Sequence, residues 1–209
     1  MNKNDMITMA TGFERLCHWS LAISCILLII SGFGFLFKIE AIGAAFGGFN
    51  SMKTIHNWLG VVFIAALFLS AAHWLKHALR FDGDDVRWLS VGGGYLSHKV
   101  KVPPMGKLNT GQKFAYLMVL TAGIAISVTG FVMWLIPENK QWVLLSFFIH
   151  NVSFIMIGIF IPLHLYLGTI ANPGTLQIMI GGKVPYWMAK KKHPKWIAEL
   201  ESGKGGHSA

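Results

Sequence analysis

At 209 residues the chain has the length of one domain, and its composition excludes an ordinary soluble one: 54% of residues are hydrophobic, 13% are charged, and mean hydropathy is +0.53. The formal net charge is +9 with histidine neutral. Its basic residues crowd into alternate loops, so the excess is a sidedness bias of a membrane protein and not a nucleic-acid footprint.

Four apolar runs approach or exceed the roughly 20 residues needed to cross a hydrocarbon core. The first, Trp19–Phe37, is too long for a secretory h-region, and "SGFGFLFKIE" after it offers no small-x-small cleavage site. A retained helix over about residues 15–38 is expected. Cys17 and Cys25 both lie in it; without a C-x-x-C-H they read as small apolar side chains, not attachment points for c-type haem. The Gly-rich "KIEAIGAAFGGFNSMK" is expected as an interfacial loop outside. The second run, Ile55–Leu79, predicts a helix over about 54–80. The connection from Arg80 to Gln112 is long for a helix bundle, as functional loops tend to be. The third run, Phe114–Ile136, predicts a helix over about 112–136, and "PENKQW" a tight turn with Trp134 and Trp142 in an aromatic belt. The fourth, Val143–Ala171, predicts a helix over about 143–171. The tail, 172–209, reads as basic and helical at first, then as a disordered Gly/Ser stretch.

The expected architecture is all-α: one integral membrane domain over 1–209, a four-helix bundle with no internal repeat and no space for a second folded domain. Of 18 Lys and Arg, only Lys38, Lys53 and Lys140 fall on one side, leaving fifteen on the other. The positive-inside rule then places both termini in the cytoplasm, with a basic rim suited to anionic lipid heads.

Ionisable groups inside a bilayer are costly and usually have a partner or a task. Four of the nine histidines need such an explanation: His18, His56, His150 and His164. On the fourth helix, fourteen residues separate His150 from His164, about 21 Å along the axis and within about 40° in direction. Both rings share a face, one near each side of the membrane. That helix runs from outside to inside, which makes His150 external and His164 internal. His56 opens the second helix at the level of His150, and His18 opens the first at the level of His164. Depth alone therefore pairs His56 with His150 and His18 with His164.

Haem iron accepts two axial imidazoles, and a six-coordinate iron suits electron transfer because oxygen finds no vacancy. Two stacked b haems are the expected cofactors. Gly32, Gly34, Gly60, Gly123, Gly130 and Gly168 would let a flat macrocycle approach, or else serve helix packing. His73 competes with His18 as a ligand, although it points to a different side of its helix from His56. His77 reads as interfacial, and His98, His193 and His207 as surface residues of polar segments. Pro162, two residues before His164, is expected to bend the helix there, aiming the ligand or simply being tolerated.

The chain resembles the gamma subunit of membrane-bound formate dehydrogenase, a di-haem cytochrome b related to the cytochrome b subunits of nickel–iron hydrogenases. The resemblance covers almost the whole chain: "ERLCHW" and "IHNWLG" at the heads of helices one and two, "KLNTGQK" before helix three, the H-x13-H pair, and "GKVPYWMAKKKHPKW" in the tail. The "N-x-G-Q-K" element and the "W-x-A-K-K-x-H-P-K-W" tail favour the formate dehydrogenase branch. The resemblance implies a multi-pass protein of the bacterial inner (cytoplasmic) membrane and a quinone-reducing subunit of a formate:quinone oxidoreductase. Electrons would arrive from an external iron–sulfur subunit, itself fed by a molybdenum or tungsten catalytic subunit. They would cross the external haem, held by His56 and His150, and the internal haem, held by His18 and His164. Menaquinone or ubiquinone would then be reduced at the cytoplasmic side, at a site of Asn109, Gln112 and His164. Asn109 also reads as a helix cap, since "LNTGQK" is a turn leading into a helix. Two other readings use the same residues: the cytochrome b of a hydrogenase or another molybdenum oxidoreductase, such as a thiosulfate reductase, and a haem-free transporter with a histidine relay. Transporters commonly carry more helices and internal repeats.

Overall fold

The computed structural model describes residues 5–95 and 99–203. In chain order it contains β1 (Met6–Thr8), α1 (Gly12–Leu36), α2 (Glu40–Ala45), α3 (Phe49–Ala78), α4 (Gly83–Ser90), α5 (Thr110–Leu135), α6 (Lys140–Thr169), α7 (Leu176–Gly181), β2 (Lys183–Pro185), α8 (Tyr186–Lys192) and α9 (Pro194–Glu201). A 3₁₀ turn follows α4 at Gly92–Gly94. Four helices, α1, α3, α5 and α6, are long and apolar enough to cross a membrane. Each begins a few residues before its hydropathy run, because the cap and not the first apolar residue sets a helix start.

These residues divide into two compact units. One comprises Leu16–Ala72 and Val119–Pro173. Lipid offers backbone groups no hydrogen bonds, so its apolar runs close theirs internally as helices. Its polarity is inverted relative to a soluble core: Leu144, Phe148 and Ile159 of α6 and Val62 and Phe68 of α3 are exposed, whereas Ser24, Ser31, Thr129, Ser146 and Ser153 are buried. The buried hydroxyls donate back to carbonyls one turn earlier, Ser24 to Ser20 (2.7 Å), Ser31 to Leu27 (2.8 Å) and Thr129 to Ala125 (2.7 Å). A Cβ on Gly123 would lie 2.7 Å from Leu67 Cδ2, and one on Gly34 2.9 Å from Ile42 Cγ2. Those two glycines serve close packing between elements. The expected outer loop contains a helix of its own, α2. Gly47 and Gly48 end its turn at φ 80° and 99°, values that a side chain would resist. Asn139 caps α6 by accepting from the Trp142 N–H (3.2 Å), and α6 runs on through Pro162.

The second unit comprises Met1–Arg15, His73–Met118 and Gly174–Ala209. It departs from an all-helical plan: β1 and β2 pair antiparallel, Met6 with Pro185, Ile7 with Val184 and Thr8 with Lys183. Ile7, Met9, Val184, Tyr186, Ala189, Trp196 and Ile197 form its buried apolar core. Three reciprocal capping boxes start its helices. Thr11 and Glu14 exchange bonds of 2.7 and 3.1 Å at α1, Asp82 and Asp85 do so at α4, and Asn109 and Gln112 at α5. Two box carboxylates take buried lysine partners: Asp85 pairs with Lys113 (2.8 Å) and Glu14 with Lys107 (3.4 Å). Thr110 also donates to Asp85 (2.8 Å). His193, expected at the surface, is buried instead, and its Nδ1 bonds the Gly106 carbonyl at 2.8 Å. His98, His207 and the Gly/Ser end of the tail lie outside the described residues.

Candidate functional site: two imidazole pairs

All four histidines singled out by depth lie in the first unit, in two facing pairs. The ring centroids of His56 (α3) and His150 (α6) are 6.5 Å apart at an interplanar angle of 47°. Those of His18 (α1) and His164 (α6) are 6.2 Å apart at 45°. A metal–imidazole bond of about 2.0 Å, with the ring nitrogen about 1.1 Å from its centroid, separates two imidazole centroids across one ion by about 6.2 Å. Both pairs match that span. Among the described residues no group of three or more His, Cys, Asp or Glu could hold a metal ion. Each pair offers two nitrogen donors across a gap, a set that would suit a metal whose remaining ligands came from a macrocycle.

A cavity of about 410 Å³ opens between His56 and His150, lined also by Ile29, Gly32, Gly60, Gly130 and Phe154. A smaller one of about 110 Å³ is lined by Lys53 and Asn57 together with both imidazoles. Gly60 and Gly168 have open space where a Cβ would project, and a Cβ on Gly130 would come within 3.4 Å of the His150 ring. The His56–His150 pair thus has donors, separation and walls that fit a planar tetrapyrrole. The His18–His164 pair has donors and separation that fit as well. Phe160 stacks on His164 (5.4 Å, 27°), and Trp19 meets His18 edge-on (5.4 Å, 88°). His73, the competing ligand, lies in the second unit against Phe13 (5.0 Å).

Sequence reasoning missed the groups behind the His56 and His150 imidazoles. Ser31 Oγ lies 2.7 Å from His56 Nδ1, and Thr129 Oγ1 lies 3.2 Å from His150 Nδ1. A hydroxyl in an apolar run is a weak signal, because most such groups simply bond their own helix. Only the fold shows which ones also meet an imidazole.

Asn109 and Gln112 cap α5: Gln112 Oε1 accepts from the Asn109 N–H at 2.9 Å and Asn109 Oδ1 from the Gln112 N–H at 2.8 Å. Those bonds engage carboxamide oxygens and leave the amide N–H₂ groups out of the cap.

The profile of the prokaryotic cytochrome b561 family matches residues 10–182. The chain belongs to that family. Membership implies b-type haem and a multi-pass membrane protein, in keeping with the paired imidazoles and the four long helices. Within this cytochrome b561 family, the chain is similar to the nitrate-inducible formate dehydrogenase cytochrome b556(Fdn) subunit of Escherichia coli K12, 29% identical across 96% of this chain and 94% of that one. It is 27% identical to the formate dehydrogenase cytochrome b556(fdo) subunit of the same organism, over 96% of each chain. It is 28% identical to the formate dehydrogenase cytochrome b556 subunit of Haemophilus influenzae, over 88% of this chain and 79% of that one.

Proposed function

We propose that the chain is the membrane anchor and electron-transfer subunit of a formate dehydrogenase of the inner membrane, with both termini in the cytoplasm. It takes electrons from an iron–sulfur subunit outside, fed by a molybdenum or tungsten catalytic subunit, and delivers them to quinone at the cytoplasmic side. The observation that carries the reading is the two facing imidazole pairs, 6.5 and 6.2 Å between ring centroids, one toward each end of α6. The relatives' names, over nearly full length, select formate dehydrogenase among complexes that could use such a wire.

Haem b, when bound, would supply reversible one-electron exchange, and the paired imidazoles would hold it. His56 and His150 hold the outer group, and His18 and His164 the inner one. The apolar walls around the outer pair exclude water and keep the imidazoles at a fixed separation. Asn109 and Gln112 donate their amide N–H groups to the carbonyl oxygen of menaquinone or ubiquinone, while their oxygens keep the cap. Electrons drawn from outside and protons from inside store energy across the membrane.

Haem content and reduced-minus-oxidised spectra of the purified complex test the reading. Two b haems per chain are expected. His56→Ala or His150→Ala removes one, His18→Ala or His164→Ala removes the other, and His73→Ala removes neither. A colourless, folded chain overturns the proposal.

A further inference from the structure

We propose that Ser31 and Thr129 are positioning residues that hold His56 and His150 in the tautomer presenting Nε2 as an electron-pair donor. The inference rests on the assignment of this pair to haem. Ser31 is fully buried, and its Oγ lies 2.8 Å from the Leu27 carbonyl and 2.7 Å from His56 Nδ1. A hydroxyl has one proton. With that proton on the Leu27 carbonyl, Oγ can only accept from the imidazole, so His56 Nδ1 carries the hydrogen and Nε2 the lone pair. The same logic operates on the opposite wall. Thr129 Oγ1 donates to the Ala125 carbonyl (2.7 Å) and faces His150 Nδ1 at 3.2 Å, and the Ile126 carbonyl also accepts from this imidazole, favouring the same tautomer.

The two hydroxyls come from α1 and α5, whereas the imidazoles come from α3 and α6. Each side of the cavity between His56 and His150 thus has an imidazole and an outer support from another helix. Such supports orient a ligating imidazole and raise its basicity. A more basic axial pair favours the ferric state and lowers the reduction potential. The inner pair differs: His18 Nδ1 is buried without a hydrogen-bond partner among the described residues. Among the described residues the support is seen at His56 and His150 and not at His18.

The test uses the full-length chain in its complex, with Ser31→Ala, Thr129→Val and Thr129→Ser, and His56→Ala to identify the outer haem signal by its loss. The readouts are haem stoichiometry, a potentiometric titration and the low-spin ferric EPR spectrum. Ser31→Ala and Thr129→Val are expected to shift the outer Fe(III)/Fe(II) equilibrium about threefold toward ferrous, about 28 mV upward at 59 mV per tenfold, and to move only the outer EPR signal. Thr129→Ser retains the hydroxyl and is expected to match the parent. Loss of the outer haem from Ser31→Ala or Thr129→Val, with retention in Thr129→Ser, supports the same role. Parental potentials and spectra in Ser31→Ala and Thr129→Val overturn the positioning role and leave the haem assignment standing. So does a Thr129→Ser protein that behaves like Thr129→Val. Two haems retained in His56→Ala overturn the haem assignment itself.

Discussion

In the proposed function Asn109 and Gln112 would each add quinone binding to their observed capping role, and the two tasks use different atoms. The cap needs an acceptor oxygen, whereas a quinone carbonyl needs a donor N–H. Asn109→Asp and Gln112→Glu separate them, because a carboxylate caps as well as an amide but cannot donate. Helix α5 is expected to stay intact, with both haems bound, while quinone reduction falls about tenfold through loss of a hydrogen bond and gain of a repelling charge. Steady-state formate:quinone turnover beside haem content checks this, and unchanged turnover removes the amides from the site. The four paired histidines were legible in the sequence because depth along a helix is a linear quantity that residue number measures. The hydroxyls at Ser31 and Thr129 were not, since meeting an imidazole on another helix depends on the rotation of both.

Capping boxes recur through the second unit as a local device with a distant partner. "TGFE" and "DGDD" are readable in sequence, but Lys113 as the partner of Asp85 is set by folding. Both side chains are nearly fully buried, 8% and 3% exposed. Lys113→Met leaves an uncompensated carboxylate and is expected to cost about 3–5 kcal/mol, whereas Asp85→Leu with Lys113→Met costs much less. Thermal unfolding of the purified proteins measures the difference. The four spans were legible as runs of hydropathy. Helix α2, the β1–β2 ribbon and the burial of His193 were not: short elements in polar or Gly-rich segments are set by contacts, here the shared core of Ile7, Val184, Trp196 and Ile197. The "surface" histidine was misplaced for the same reason, since "KKKHPKW" is polar in sequence yet folds His193 under a carbonyl.

Over the whole molecule, acid is expected to weaken the second unit in two stages. Burial pushes the His193 imidazole below 6.5, and Lys192 adds to this against the Gly106 carbonyl. The unfolded chain therefore takes up a proton that the folded one refuses, and stability present above pH 6.5 declines as pH falls toward the lowered value. Asp85 follows: burial raises its carboxyl, but Lys113, the Asp82 N–H and Thr110 outweigh it and hold it below 3.8. Its contribution is complete above that pH and disappears beneath it. Unfolding midpoints across pH 3–8 check both stages, and His193→Asn is expected to flatten the upper one. The strand pairing of Met6 with Pro185 also governs timing. A ribosome must thread all four spans into the bilayer before β2 exists, so β1 waits as a bare amino-terminal arm until synthesis is nearly over. The ribbon is then a late closure, made only once both ends of the chain exist.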